Sequence, residues 1–233
     1  MHVTTNFPLH RPLTLPRSWQ RAIYTVNPSN EIIAAHSFIT PMNKGHEAMA
    51  YLTYIIDNYN GAIPSIVAFL HSHRQGFFEA WHVDTPLHDN VIAMRLLNLD
   101  FVRQAGYVNL RCNWNPGCYR KGTERANGHI TSEIWDQLMG ETSTPLFNGK
   151  PGGHGAVKNL PSFHDRERES MEMTISSTCC AQFAVSREQI YQRPLKDYVK
   201  IRDWLIGTEL DDRHSGRVLE YMWHIIFGME ATQ

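Results

Sequence analysis

With 233 residues and 26.8 kDa, the chain is long enough for one large domain. Hydrophobic residues make up 42% and charged residues 19%, which supports a sizeable core and excludes wholesale disorder. A net charge of −1 excludes a surface coated in basic charge for duplex DNA. No stretch reaches the roughly 20 apolar residues of a membrane helix. The N-terminus "MHVTTNFPLHRPLTLPRSW" lacks a charged head followed by an apolar run, so a soluble cytoplasmic protein is the expectation.

Residues 1–30 are proline-rich at their start and weakly periodic, and they read as an extended arm before an α/β domain at 31–230. "EIIAAHSF" (31–38) is apolar and β-prone, the expected first core strand. "HEAMAYLTYIIDNY" (46–59) has helical spacing, with Ala48, Leu52, Ile55, Ile56 and Tyr59 on one stripe. "SIVAFL" (65–70) is a short continuous apolar run of buried-strand type. "TPLHDNVIAMRLLNLDFVRQAG" has proline near its start and glycine at its end, the asymmetry of a single helix. "YVNLRC" (107–112) is the third strand. This alternation of strand and helix predicts a mostly parallel central sheet flanked by helices.

Two stretches, 113–128 and 148–170, are polar and rich in turn formers, and they read as long functional loops over a crevice. "AQFAVS" (181–186) is a further strand that runs into the helix-prone "REQIYQ". "LKDYVKIRDWLIG" and "SGRVLEYMWHIIFG" read as two amphipathic helices that close the domain. Four cysteines are too few for a disulfide scaffold, and adjacent Cys179 and Cys180 are expected as free buried thiols.

In open α/β sheets ligands sit outside the carboxyl ends of the strands. "SIVAFL" runs into His71-Ser72-His73-Arg74, and "YVNLRC" ends at Arg111-Cys112, followed by Asn113. Both ends are expected on one edge of the sheet. Imidazole moves protons near neutral pH, and guanidinium grips carboxylate or phosphate in two places. His71 and His73 are therefore candidate bases, and Arg74 and Arg111 candidate grips for an anionic donor. Trp81 is a candidate apolar wall, with His82 and Asn113 beside it. His71, His73 and His82 also form a loose nitrogen set for a divalent metal, but no carboxylate stands at ligand spacing beside them, and no metal is assigned. The alternative is histidines that simply hydrogen-bond the chain and cap the loop.

Glu220 and His224 are four apart on the last predicted helix, with Arg217 one turn before, and a carboxylate there would orient a general base. The plainer reading is an ion pair at the edge of the core. Asp212, with Asp211, suits the N-terminal dipole of that helix and joins the candidate binding set. Asn43, Gly45 and Glu47 stand where a loop becomes a helix, and free backbone N–H groups there would hold an anion. Glu47 is also ordinary helix-start chemistry.

Five stretches together resemble one family: "NKGHEAMAYLTYIIDNY", "FLHSHR" followed by "AWH", "GYVNLRCNWNPGC", "CCAQFAVSREQIYQRPLKDY" and "DDRHSGRVLEYMWHIIFG". The chain is similar, from about residue 30 to 228, to the largely fungal domain of unknown function 3431 family. The resemblance implies a GT-A-like scaffold related to the nucleotide-diphospho-sugar glycosyltransferases. It implies a group transferase of specialised metabolism that takes a small-molecule substrate and an anionic activated donor. Metal-dependent members of that fold carry an Asp-x-Asp, which this chain lacks. Either Arg74 and Arg111 meet phosphate charge directly, or the scaffold serves another transfer. A looser resemblance, to tRNA-dependent arginine-containing cyclodipeptide synthases, implies aminoacyl transfer with tRNA as partner. Their Asp-Asp-x-x-Glu pattern is not met as written by Asp211-Asp212 and Ser215. A binding protein without catalysis is the contrasting class.

Overall fold

The computed structural model describes residues 2–6, 19–26, 38–61, 63–72, 82–112, 130–139 and 177–230. Among these residues five strands form one sheet: β1 (His2–Asn6), β2 (Arg21–Thr25), β3 (Ile66–Phe69), β4 (Tyr107–Asn109) and β5 (Phe183–Ser186), in the order β2–β1–β3–β5–β4. β1 pairs in parallel with β2 and β3, whereas β5 pairs antiparallel with both β3 and β4. The fold is thus mixed helix and sheet, but the expected mostly parallel sheet is not what the described residues form. A reversed strand divides β3 from β4. Short chain-order patterns reveal strands but not which way a distant strand inserts, and that accounts for the difference.

The first 30 residues are not simply an arm. β1 and β2 lie in the sheet, and Ala22 and Tyr24 belong to the core. Proline content hid this because the β2 run "RAIYT" is only five residues long. Of the predicted strand 31–38, residues 31–37 lie outside the described residues. Beside it, Ile39 makes a parallel bridge to Thr25. The proposed loops 113–128 and 148–170 also lie outside.

The helices follow from local chemistry. α1 (Glu47–Asn58) buries every residue from Ala48 to Ile55, so it is covered all round rather than along one stripe. The expected single helix after Pro86 is broken into α2 (Asn90–Leu96) and α3 (Leu99–Ala105). Asp89 caps α2 by accepting from Val91 and Ile92 N–H, and Asn98 restarts the chain by capping Asp100 and Phe101. A mid-segment Asn that accepts at a helix start outcompetes continuation of the earlier helix. Gly106, at φ 83, closes α3 as expected of a terminal glycine. α4 (Ser132–Met139) was not expected from the sequence. α5 (Arg187–Ile190) follows β5, capped by Ser186, and α6 (Leu195–Gly207) matches its prediction. The last predicted helix begins earlier, at α7 (Asp212–Glu220), and a tight turn at Tyr221–Met222 separates it from α8 (Trp223–Ile226).

Alternation along β3 serves two cores. Val67 and Phe69 pack with α1, α6, α7 and α8, while Ile66 and Ala68 pack with Met94 and Val102 of α2 and α3. Phe183 is the centre of the larger core, with ring centroids 5.0 Å from Phe69, 5.1 Å from Tyr107 and 5.4 Å from both Trp223 and Phe227. A buried aromatic of this kind contributes on the order of 1.5–3 kcal/mol. An exposed pair such as Arg103–Asp100 contributes about 0–1 kcal/mol. The aromatic layer, not surface charge, holds the sheet edge.

The start of α1 is pinned from two sides. Gly45 has φ 71, and a Cβ there would lie 2.5 Å from Leu205 Cδ1 of α6. A Cβ on Gly216 of α7 would lie 2.5 Å from the His46 ring. Lys44 donates to Thr208 and Ile206 carbonyls at the end of α6, a cation at a helix C-terminus. Gly45→Ala combines a left-handed backbone with overlap on Leu205 and should destabilise the fold by about 2 kcal/mol or more in chemical denaturation. Gly207→Ala, at the open end of α6, should change stability by less than ~0.5 kcal/mol.

Candidate functional site

β3 and β4 run the same way on either side of β5, and their registers place Phe69 and Asn109 opposite the same residue, Phe183. Their carboxyl ends therefore emerge level with one another on one edge, as the sequence implied, though with a strand between them. Gln182, just before β5 and 2% exposed, bridges the gap. Its carbonyl accepts from Leu110 N–H at 2.9 Å, and its Oε1 accepts from His71 N–H at 2.8 Å. Asn90 holds the Gln182 amide in turn, with two 3.2 Å bonds in opposite directions. Sequence reasoning missed this residue. The available signal was a lone amide inside the apolar run "CCAQFAVS", a group that must find buried partners.

At the end of β3, His71 Nε2 lies 3.8 Å from Glu47 Oε2 of α1, and both side chains are mostly buried. At this distance the pair is an electrostatic contact rather than a formed hydrogen bond. The His82 ring packs edge-on against His71 at a centroid distance of 4.5 Å. Arg111 is 3% exposed. Burial lowers its pKa from the usual arginine value, and Asp84, whose carboxylate also accepts Cys112 N–H at 2.5 Å, opposes that. Arg111 is thus a buried cation beside a carboxylate, not an open grip. His73, Arg74, Trp81 and Asn113 lie outside the described residues.

Glu220 enters the same neighbourhood from α7. One oxygen accepts Cys180 N–H at 2.7 Å, and the other accepts Arg217 Nη1 at 2.5 Å. The plainer ion-pair reading of Arg217 and Glu220 is the geometry found. His224 lies beyond the turn at Tyr221–Met222, wholly buried in the core, and Glu220's oxygens go to Arg217 and Cys180 instead. The expected Glu220–His224 orienting pair is corrected accordingly, because the helix does not run unbroken between them.

The two carboxyl groups are pushed in opposite directions. Burial raises Glu47, but His71, a bond to its backbone at the helix start and His46 outweigh it, leaving the carboxyl below the usual glutamate range. For Glu220, burial is the largest influence and raises it. Arg217 opposes, the nearby charge of Glu47 adds, and Cys180 N–H opposes; the carboxyl ends above the usual range. Of the two buried carboxyls, Glu47 is thus the stronger acid and Glu220 the weaker, and burial and neighbouring charge set that order.

Asp212 has a different use. It accepts His46 N–H at 3.1 Å and lies 3.3 Å from the His46 ring, while Asp211 caps α7 through His214 N–H. The helix-start N–H expected to hold a ligand anion thus holds a carboxylate of the chain itself. Cys179 and Cys180 are bonded to each other rather than free, although buried as expected. Adjacent residues place the two sulfurs within reach, and Cys180 (φ 93) and Ala181 (φ 43) take left-handed conformations there. Donor atoms of Cys179, Cys180 and Glu220 lie within 4.8 Å of one another, but disulfide sulfurs are not thiolates and make no metal set. Among the described residues, no helix is long and apolar enough to cross a membrane.

No match is found among the curated proteins or the solved structures. A family model described as "Protein of unknown function (DUF3431)" matches residues 10–233, nearly the whole chain. The chain belongs to the DUF3431 family.

Proposed function

We propose that this protein is a group transferase of specialised metabolism, cytoplasmic and glycosyltransferase-like in scaffold, that moves a group from an anionic activated donor to a small-molecule acceptor. The observation that carries this reading is the pairing of Glu47 with His71 at the strand-end edge, with Glu220 oppositely perturbed beside it. The expected placement of a GT-A-like site, outside the carboxyl ends of strands, supports the scaffold reading.

In this reading His71 accepts the proton of the acceptor's hydroxyl or amine, with the Glu47 carboxyl 3.8 Å from its ring. The freed lone pair attacks the donor's electrophilic carbon, and the bond from that carbon to the leaving group breaks. Its electron pair leaves as anionic charge. Glu47, whose carboxyl lies below the usual glutamate range, stabilises the imidazolium as the leaving group departs.

His71→Ala should lower product formation by about 10²–10⁴-fold while circular dichroism stays native. The measurement is mass spectrometry of metabolites from a clean host expressing each form, followed by assay with nucleotide-sugar donors. Product that forms only when aminoacyl-tRNA is supplied would replace glycosyl transfer by aminoacyl transfer. Unchanged product with the alanine variant, or loss of fold, would remove His71 from the chemistry.

The opposite shifts also give stability two separate pH windows. Glu220 holds its proton more tightly folded than unfolded, so its contribution is fully present below the ordinary glutamate range, about 4.3, and is lost as pH rises through its raised value. Glu47 has the reverse sign: its contribution is present above the ordinary range and is lost as pH falls through its lowered value. Glu220→Gln should flatten the loss on the alkaline side and leave the acid side unchanged, as read by urea denaturation across pH.

A further inference from the structure

Glu220 and Glu47 together make a difficult place for an anion. Two carboxylates share it, and the buried Arg111 already has Asp84 acting on its charge. Among the described residues, Arg217 is a cation at the surface of this cluster. Its side chain keeps 43% of its surface exposed, against 11% for the Glu220 carboxyl that it binds. A guanidinium carries several N–H donors in a planar fork, and Arg217 commits one Nη1 bond to Glu220, so most of the fork remains for a second acceptor.

We infer that Arg217 receives the phosphoryl group of an activated donor, and that this capture is coupled to uptake of a proton by Glu220. Among the described residues, the groups facing Glu220 come from three elements and the segment before β5. Arg217 lies one turn back on α7, with Tyr221 just beyond. Glu47 approaches from α1, with His71 behind it at the end of β3, and Cys180 N–H comes from the segment before β5. Of these, Arg217 and the Cys180 N–H favour the ionised carboxyl, and Glu47 and burial oppose it. A dianion arriving on Arg217 divides the guanidinium's charge and places new negative charge beside the carboxyl. Both changes favour the protonated form. Protonation in turn removes a repulsion from the anion and makes Glu220 a hydrogen-bond donor to it. Binding and protonation are reciprocal, as linked equilibria must be.

The inference rests on the group-transfer reading for the identity of the anion, but capture and proton coupling are tested without turnover. Inorganic sulfate, a tetrahedral dianion that does not titrate near neutral pH, is the first probe, and inorganic diphosphate the second. Isothermal titration of the full chain in two buffers of different ionisation enthalpy counts the protons taken up. The expected result is uptake on sulfate binding, with affinity falling as pH rises through the Glu220 titration, by up to about tenfold per pH unit. Glu220→Gln should bind sulfate without uptake and without that pH dependence. Arg217→Ala should lose at least about tenfold in affinity, with Arg217→Lys between it and the native protein. Diphosphate should bind more tightly than sulfate.

Sulfate and diphosphate binding unaffected by Arg217→Ala, binding with no proton uptake, or no binding of either anion would each overturn the inference. If Arg217→Ala does not fold, the lysine variant and Glu220→Gln carry the same decision. Capture with proton uptake but no transfer product would leave the inference standing and remove the group-transfer reading. Product lost in His71→Ala but untouched in Arg217→Ala and Glu220→Gln would do the reverse.

Discussion

One buried amide ties this molecule together at the edge where β3 and β4 end. Gln182 offers its backbone carbonyl to the segment leaving β4 and its side-chain oxygen to the segment leaving β3, while Asn90 clamps the amide from the other core. An unpaired buried amide costs about 1–3 kcal/mol, so the conformation in which all three partners are met is strongly selected. Because β5 enters antiparallel just after Gln182, the two parallel strand ends are held level, with a fixed gap between them. His71 and Arg111 inherit their positions from that gap. The aromatic layer centred on Phe183, the next residue along, makes the arrangement rigid from beneath.

The electrostatics of the site are set by helix packing rather than by the sheet. Glu47 stands in the first turn of α1, where the helix start favours a carboxylate, and His71 lies across from it. Glu220 stands at the end of α7, where a helix terminus does not favour negative charge, and it is nearly covered. The same residue type thus has opposite proton affinity in two places, for reasons that packing alone supplies. The close approach of Gly216 of α7 to Gly45 and His46 holds the two helices together where Glu47 acts on Glu220. A larger residue at Gly216 would push α7 away from His46 and weaken the effect of Glu47 on Glu220.

Much of the framework is legible from pattern. The run "SIVAFL" is a buried strand, "LKDYVKIRDWLIG" is a helix with its predicted bounds, and Gly106 ends a helix where it should. These are local matters of periodicity and capping. Harder to read was Asn98, whose side chain restarts a helix that periodicity alone would carry through. The turn at Tyr221–Met222 was harder still, since "SGRVLEYMWHIIFG" contains no proline to announce it and Gly228 lies past its end. That turn takes His224 out of register with Glu220 and into the core.

The sequence by itself determined that this chain builds helices and strands around a substantial apolar core, and that a histidine follows one strand and an arginine another. Those facts follow from side-chain period, backbone propensity and the chemistry of short motifs, all of which act over a few residues. Only the tertiary structure decided that β5 runs backwards between β3 and β4, that Gln182 joins their ends, that Asp212 occupies the start of α1, and that Glu47 and Glu220 differ in proton affinity. Each of these is a contact between segments far apart along the chain, governed by burial and by charges brought close in space, and neither quantity exists until the chain has folded.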